Sequence, residues 1–411
     1  MLTMLNRGVG LLLVLTVASA CASTVSQPPP PFTADAATLD TPDVGPDVPN
    51  DDHPPRDVPD SGPSRLNVRS GIGHLRRLNG DPVAWGDDSA LLGGMLTDAG
   101  VPPPGARTVP PLESRLLLGY GTACTFGTIG ELRCWGRNEL GQVGNGRYEP
   151  VLAPGSVILD EVIDVASNMT AWCALKRDGS VWCWGAYLGS LSVESGPGPN
   201  PVRIDLPAPI VRLFGGSTSA HFNGVDASGR VWCWGGDNSA CLVDQDVRLR
   251  GVAIPPEPDV ATIALGTTFS CALSTSGDVR CWGADALGLE PIGSGSGLLR
   301  TPTPAPDYRG AIALSAGGSF LCALMPSGQV ICGGLSSYHG KLGFYEDGGR
   351  MYPPRPVREL DDVIEIGSSR DHNCALTRSD EVFCWGSNGL LSLGQPPPRR
   401  RSDLPLRIEL P

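Results

Sequence analysis

The chain has 411 residues, with 31 Lys and Arg against 43 Asp and Glu and a formal net charge of −12. An acidic balance of this size speaks against nucleic acid and anionic lipid as main partners, because both carry the same sign of charge. Glycine at 54 positions and cysteine at 13 point to tight turns and an oxidising compartment.

The first elements are targeting signals. Arg7 is followed by an apolar run from Val9 to Val17 that is too short to span a bilayer, and Ala18, Ser19 and Ala20 lead into Cys21. This is the layout of a cleaved secretory signal over 1–20. It resembles the lipobox of bacterial lipoproteins, which implies lipidation of Cys21, although the branched residue Val17 stands one place early. Acylated Cys21 would anchor the chain, and Ala22 fits the outer membrane rather than the inner one. The alternative is an ordinary signal with an incidental cysteine. Residues 21–65 are a different polymer. Between Gln27 and Ser64 lie eleven prolines and eight aspartates with hardly any large apolar residue. Such a segment cannot bury enough surface to offset its ordering entropy and reads as a disordered stalk.

From residue 66 onward the chain repeats itself. Trp-Gly recurs at Trp85, Trp135, Trp184, Trp234, Trp282 and Trp385, with Gly333 standing where the sixth tryptophan should be, at intervals of 48 to 52 residues. Seven units therefore fill 66–411, and a fixed period of this size signals a repeat architecture. In the unit C-A-L-K-R-D-G-S-V-W-C, pairing Cys173 with Cys183 sets Ala174 opposite Trp182 and Leu175 opposite Val181, as in an antiparallel hairpin. The turn position carries Gly80, Gly130, Gly179, Gly229, Gly277, Gly328 and finally Asp380, the choice expected where φ is positive. The reading is all-β: seven small sheets arranged radially as a β-propeller. The chain starts without, and ends with, a short extended segment of the type L-P-L-R-I-E-L. That predicts a last strand that completes the first blade and fastens the ring.

These residues resemble a known family. The pattern C-A-L-x-x-x-G-x-V-x-C-W-G followed by N-x-x-G-Q-x-G, fullest at Cys134–Gly144, is similar to the regulator of chromosome condensation repeat. The resemblance implies a seven-bladed propeller. It implies no function here, since the founding member's GTPase and chromatin partners belong to another compartment. Secreted bacterial propellers of this repeat type that bind and inhibit β-lactamases suit the compartment better.

Five cysteine pairs are spaced by ten: Cys124/Cys134, Cys173/Cys183, Cys271/Cys281, Cys322/Cys332 and Cys374/Cys384. Directly opposed residues of a hairpin lie within disulfide reach, so cross-strand bonds are expected, with reduced buried cysteine as the alternative. In the fourth unit Asn223 replaces the first cysteine and Cys241 is added, which suggests a Cys233–Cys241 bond or else a free thiol.

No nucleophile elbow, phosphate loop or metal-ligand spacing is present, so no catalytic residue, metal ligand or cofactor is assigned. His221 and His372 fall where other units have Phe269 and Phe320, which reads as packing. The loops after Trp-Gly vary in length and chemistry on a constant scaffold, the usual arrangement of a recognition surface. Tyr338, Phe344 and Tyr345 form the one aromatic cluster with the character of a partner anchor. The expectation is a monomeric, non-catalytic binding module of the cell envelope that recognises a protein or glycan. The alternative is an envelope polysaccharide lyase or hydrolase working in the propeller channel, and a GTPase regulator stands behind both.

Overall fold

The computed structural model describes residues 65–69, 72–76, 82–86, 107–108, 115–186, 198–236, 240–241, 251–255, 259–289, 297–335, 339–345, 349–389, 391–394 and 400–410. The signal, Cys21 and the stalk up to residue 64 lie outside them. All the described residues belong to the compact unit Asp57–Pro411.

A glycine turn flanked by apolar, β-branched and aromatic residues makes each hairpin. In the third unit Cys173 pairs with Cys183, Ala174 with Trp182 and Leu175 with Val181. Among the described residues the turn glycines, Gly130, Gly179, Gly229, Gly277 and Gly328, have φ of 80° to 85°, and Asp380 has 65°. Each hairpin forms the middle of a small antiparallel sheet. Six sheets have four strands in sequence order, and one has three. We number the units by position: unit 1 (66–108), unit 2 (115–136, the three-stranded one), unit 3 (162–203), unit 4 (210–253), unit 5 (260–304), unit 6 (313–356) and unit 7 (363–407). The fold is an all-β propeller with a single three-residue helical turn, Pro306–Tyr308, among the described residues. Seven blades were expected, and six are complete. In unit 2 the outer strand is reduced to two bridges, Leu132 with Leu159 and Gly136 with Val151.

The first strand of each unit packs against the first strand of the next, and that of unit 7 against that of unit 1. The core lies between the sheets. His221–Asp226, the second strand of unit 4, is buried at every position, and the Trp-Gly tryptophans are fully buried. Unit 6 shows how the missing tryptophan is replaced. A Cβ at Gly333 would stand 2.8 Å from the Tyr308 hydroxyl, so the tyrosine ring occupies that space. Its hydroxyl donates to the Leu321 carbonyl at 3.3 Å. Burial pushes its pKa far above the ordinary phenol range.

The expected fastening of the ring is wrong. The last strand, Arg401–Arg407, pairs with Val382–Ser387 of its own unit, with Cys384 opposite Leu406. Unit 1 is likewise continuous in sequence. The short extended segments are the outer strands of the units that precede them, not the inner strands of those that follow. Among the described residues the join between units 7 and 1 has no shared strand and rests on side chains of one unit that meet the backbone and core of the other. Glu365 of unit 7 accepts from the Arg65 amide at 3.0 and 3.1 Å and from the Leu66 amide at 2.8 Å. The Arg65 guanidinium pairs with Asp380, and Leu66, Val68, Leu75 and Trp85 share one core with Leu376, Val382 and Ile408.

Six disulfides are formed. Five cross a hairpin with Cα atoms 4.0 to 4.2 Å apart: Cys124–Cys134, Cys173–Cys183, Cys271–Cys281, Cys322–Cys332 and Cys374–Cys384. The sixth is Cys233–Cys241, so unit 4 exchanges its cross-strand partner for one eight residues ahead. Closing so short a loop stabilises by about 2–3 kcal/mol in the chain-entropy account. Cys241→Ser should lower stability by that amount and leave Cys233 as a thiol that maleimide labels after unfolding in the absence of reductant. Peptide mapping without reduction reads both, and an unlabelled Cys233 would show that it pairs elsewhere.

Candidate functional site

Two sets of loops share one face of the propeller, because in a four-stranded meander the first and third connections leave from the same end. The first connections lie near the axis and the third connections, after Trp-Gly, lie farther out. The opposite face carries the glycine turns, where the only other lysine, Lys176, pairs with Asp160 and Glu161 at 3.2 and 3.4 Å.

Near the axis the loops are tied together. Ala220 N donates to Thr267 O, Thr267 N to Gly318 O and Gly318 N to Arg370 O, linking units 4, 5, 6 and 7 in turn. Ser217 Oγ then donates to Ser368 O at 3.1 Å, joining unit 4 back to unit 7 across the ring. The axis is therefore crossed at this end by buried backbone and hydroxyl groups. That removes one entrance from any reaction in the channel.

Farther out, part of each loop serves the scaffold. Asn138 is fully buried. It accepts from Val143 N at 2.9 Å and donates to Arg147 O at 2.8 Å and Glu149 O at 3.0 Å. The loop so folded offers the Gln142 carbonyl to the Trp184 indole N–H at 2.8 Å. Gly144 lies so close to Trp184 that a Cβ would meet the ring at 2.7 Å. In unit 6 the Lys341 carbonyl caps Trp385 in the same way at 3.1 Å. The N-x-x-G-Q-x-G element is thus a clasp on the next unit, and recognition falls to the residues around it.

The densest group of chemistry-bearing side chains lies where this loop of unit 6 meets the first loop of unit 7. Lys341 is 1% exposed. Its ammonium donates to Ser319 Oγ at 3.1 Å, lies 3.6 Å from Asp371 Oδ1 and stands 5.3 Å above the Phe320 ring. A buried charge persists only with such partners. His339 Nδ1 is 3.5 Å from the same carboxylate, and Arg370 reaches it at 4.0 Å. In unit 6 Tyr345, four residues after Lys341, is 73% exposed, and Leu335 and Met351, opposite each other in the sheet, are 40% and 38% exposed. Of the two predicted aromatic anchors among the described residues, Tyr345 is on the surface. Phe344 is 6% exposed and packs edge-on against Tyr352 at 5.8 Å, so it is core, placed there by the glycine turn before it. Tyr338 lies outside the described residues, as does most of the loops 186–195 and 236–245.

Sequence reading passed over Lys341, Asp371 and Ser319. One signal was available: the chain has two lysines among 31 basic residues. One of them stands here, its ammonium shared by Ser319, Asp371 and the Phe320 ring.

A second polar group looks catalytic and is not. His221 Nε2 lies 2.7 Å from Ser270 Oγ, which donates to Asn223 Oδ1 at 3.1 Å. The imidazole and the hydroxyl are both enclosed within the fold, out of reach of a substrate. All three residues have no exposure. Among the described residues no group of three His, Cys, Asp or Glu side chains could hold a metal ion.

The comparisons with known proteins fit this architecture. The model of the Regulator of chromosome condensation (RCC1) repeat matches 260–288 and 363–395. These stretches span the first three strands of units 5 and 7 and the turn after Trp-Gly. The chain carries RCC1 repeats. It is 28% identical over 275 residues to human HERC4, a probable E3 ubiquitin-protein ligase, covering 64% of this chain and 26% of that protein. It is 27% identical over 324 residues to the ultraviolet-B receptor UVR8 of Arabidopsis thaliana, covering 76% of this chain and 62% of the receptor. The chain thus spans less than two thirds of either relative. Among solved structures, Prp20p of Saccharomyces cerevisiae, characterised for binding Gsp1p and histones, superposes with a TM-score of 0.67 at 20% identity, over 84% of this chain and 87% of Prp20p. At that identity the likeness establishes the shared fold.

Proposed function

We propose that this chain is a non-catalytic binding module: a ring of seven RCC1-type units, held at a bacterial envelope membrane by acylated Cys21 on an acidic stalk, recognising a protein or glycan. The observation that carries the reading is the surface of unit 6, where Tyr345, Leu335 and Met351 are exposed and His339 lies against Asp371 of unit 7, which Arg370 also reaches. An apolar patch rimmed by charge on a disulfide-stapled scaffold is the form binding surfaces take. The enzyme reading has less support, because the axis is crossed at one end and the His221–Ser270–Asn223 group is wholly buried. Ligase, receptor and GTPase-directed roles belong to the relatives that bear those names, and a GTPase regulator would need to be cytosolic.

The test begins with capture of envelope proteins and glycans on the oxidised mature chain, with a reduced sample as control. Against the partner found, Tyr345→Ala should weaken binding about tenfold or more, the loss typical of an exposed aromatic anchor. Arg177→Ala, on the exposed glycine-turn face, should leave it unchanged. Equal affinity for Tyr345→Ala and the parent would remove the surface of units 6 and 7 from the proposal. Incorporation of labelled fatty acid that is lost in Cys21→Ser would establish the anchor, and its absence would return the cytosolic readings to consideration.

A further inference from the structure

The crossed end of the axis contains more polar groups than its own hydrogen bonds satisfy. Ser217 Oγ has a partner in Ser368 O, and Ser167 Oγ has one in Leu118 O at 3.2 Å. Four neighbouring atoms have none: Asn168 Nδ2, Thr218 Oγ1, Ser368 Oγ and Ser369 Oγ. All four residues are more than nine-tenths buried. They come from units 3, 4 and 7, and the backbone brings them to one place. The Ser217–Ser368 bond joins the turn that carries Thr218 to the turn that carries Ser369, and a Cβ at Gly215 would stand 2.6 Å from the Ser167 carbonyl, so the turn that carries Asn168 follows a residue packed on the same segment of unit 4.

A hydroxyl or amide left unpaired in a closed interior loses its hydration without return, so native interiors supply a partner. The chemistry of the four atoms defines that partner. Asn168 already uses its carbonyl, accepting from Thr170 N at 3.0 Å and Ala171 N at 2.7 Å, so it presents N–H donors only. The three hydroxyls can give or take a proton. No charged side chain is among the four, so neither an anion nor a cation would be compensated there. The group that fits is small, uncharged, and both donor and acceptor. We infer that ordered water occupies the crossed end of the axis, bridging units 3, 4 and 7 through Asn168, Thr218, Ser368 and Ser369. Two or three such molecules, each making about three bonds, satisfy the four atoms. The hydrated cluster then acts as the keystone of the ring on this face, tying unit 7 to units 3 and 4, which are not its neighbours, and it is independent of the partner-binding surface proposed above.

The experiment compares the oxidised full chain with Thr218→Val, Thr218→Ser and Ser369→Ala. The readouts are thermal unfolding and the number of long-lived internal waters from oxygen-17 relaxation dispersion. With bridging water, Thr218→Val and Ser369→Ala each lose water bonds. The melting temperature should fall by about 2–4 °C and the count of long-lived waters should drop. Thr218→Ser keeps the hydroxyl and should retain the count, which separates lost hydration from altered packing. A higher melting temperature in Thr218→Val and Ser369→Ala would mean that the hydroxyls sit dry, and an unchanged water count would mean that the site exchanges freely with solvent. Either result overturns the inference.

Discussion

Lowering the pH from 7 to 5 should cost this protein about 4 kcal/mol of folding stability, and two buried histidines account for it. Burial pushes the His221 imidazole down to about 3 and that of His372 down to about 4, the second despite the neighbouring Asp371 carboxylate. In the unfolded chain both titrate near 6.5. The folded state therefore binds fewer protons than the unfolded state between those values. Stability is complete above pH 6.5, falls as the pH drops through that value, and levels off below the folded pKa values. At pH 5 each histidine has lost about 2 kcal/mol. A total stability of about 5–15 kcal/mol makes that a large fraction. The carboxylates that depart from the usual range do not share this window. Asp178, held low by the Ser180 hydroxyl and amide, and Asp226, held low by Ser228 and Trp232 against its own burial, lose their contribution only as the pH falls below about 4. Urea unfolding of the parent and of the doubly substituted His221→Phe, His372→Phe chain at both pH values measures the effect. Phenylalanine occupies the same repeat position at Phe269 and Phe320, so the variant should fold and its midpoint should change little between pH 7 and pH 5. Equal acid sensitivity in variant and parent would place the titrating groups elsewhere.

The second large effect concerns ring closure. Because no strand is exchanged between the ends of the chain, the join between units 7 and 1 rests on Glu365, Arg65 and the shared core. Glu365→Ala leaves the Arg65 and Leu66 amides without their acceptor, and a charge-assisted bond of this kind contributes about 2–3 kcal/mol. Unit 1 has no disulfide to limit the damage, since His74 and Ala84 stand opposite each other where other units pair cysteines. Hydrogen exchange should therefore speed up for amides of 66–86 and 363–377 in Glu365→Ala, while the hairpin of unit 5, stapled by Cys271–Cys281, stays protected. Glu365→Gln keeps an oxygen acceptor and should fall between. Uniform loosening of all units would show that the ring opens as a whole rather than at this join.

The repeat was legible because its signals are local. Glycine at a positive-φ turn, two cysteines ten residues apart and alternating apolar residues all act within one hairpin, so the register of Cys173 with Cys183 and the Cys233–Cys241 exchange could be read directly from spacing. The phase of the sheets was legible too, and was misread. Outer strands such as Gly198–Arg203, Leu298–Pro304, Met351–Pro356 and Arg401–Arg407 all contain proline. Proline cannot donate to a ladder on both sides and marks an edge strand. That rule would have assigned L-P-L-R-I-E-L to the rim of unit 7 instead of to the closure of unit 1.

The sequence by itself determined the hairpins, the turn glycines and the five cross-strand disulfides, because each depends on residues within about ten positions of one another. Only the tertiary structure decided the rest. It buried Phe344 and left Tyr345 exposed, brought Lys341 to Asp371 across two units, crossed the axis from Ser217 to Ser368, and let Tyr308 replace the absent tryptophan of unit 6. The physical reason is common to all four. Each depends on which loop of one unit meets which loop of another, and that is set by the rotation between neighbouring sheets, which no single repeat encodes.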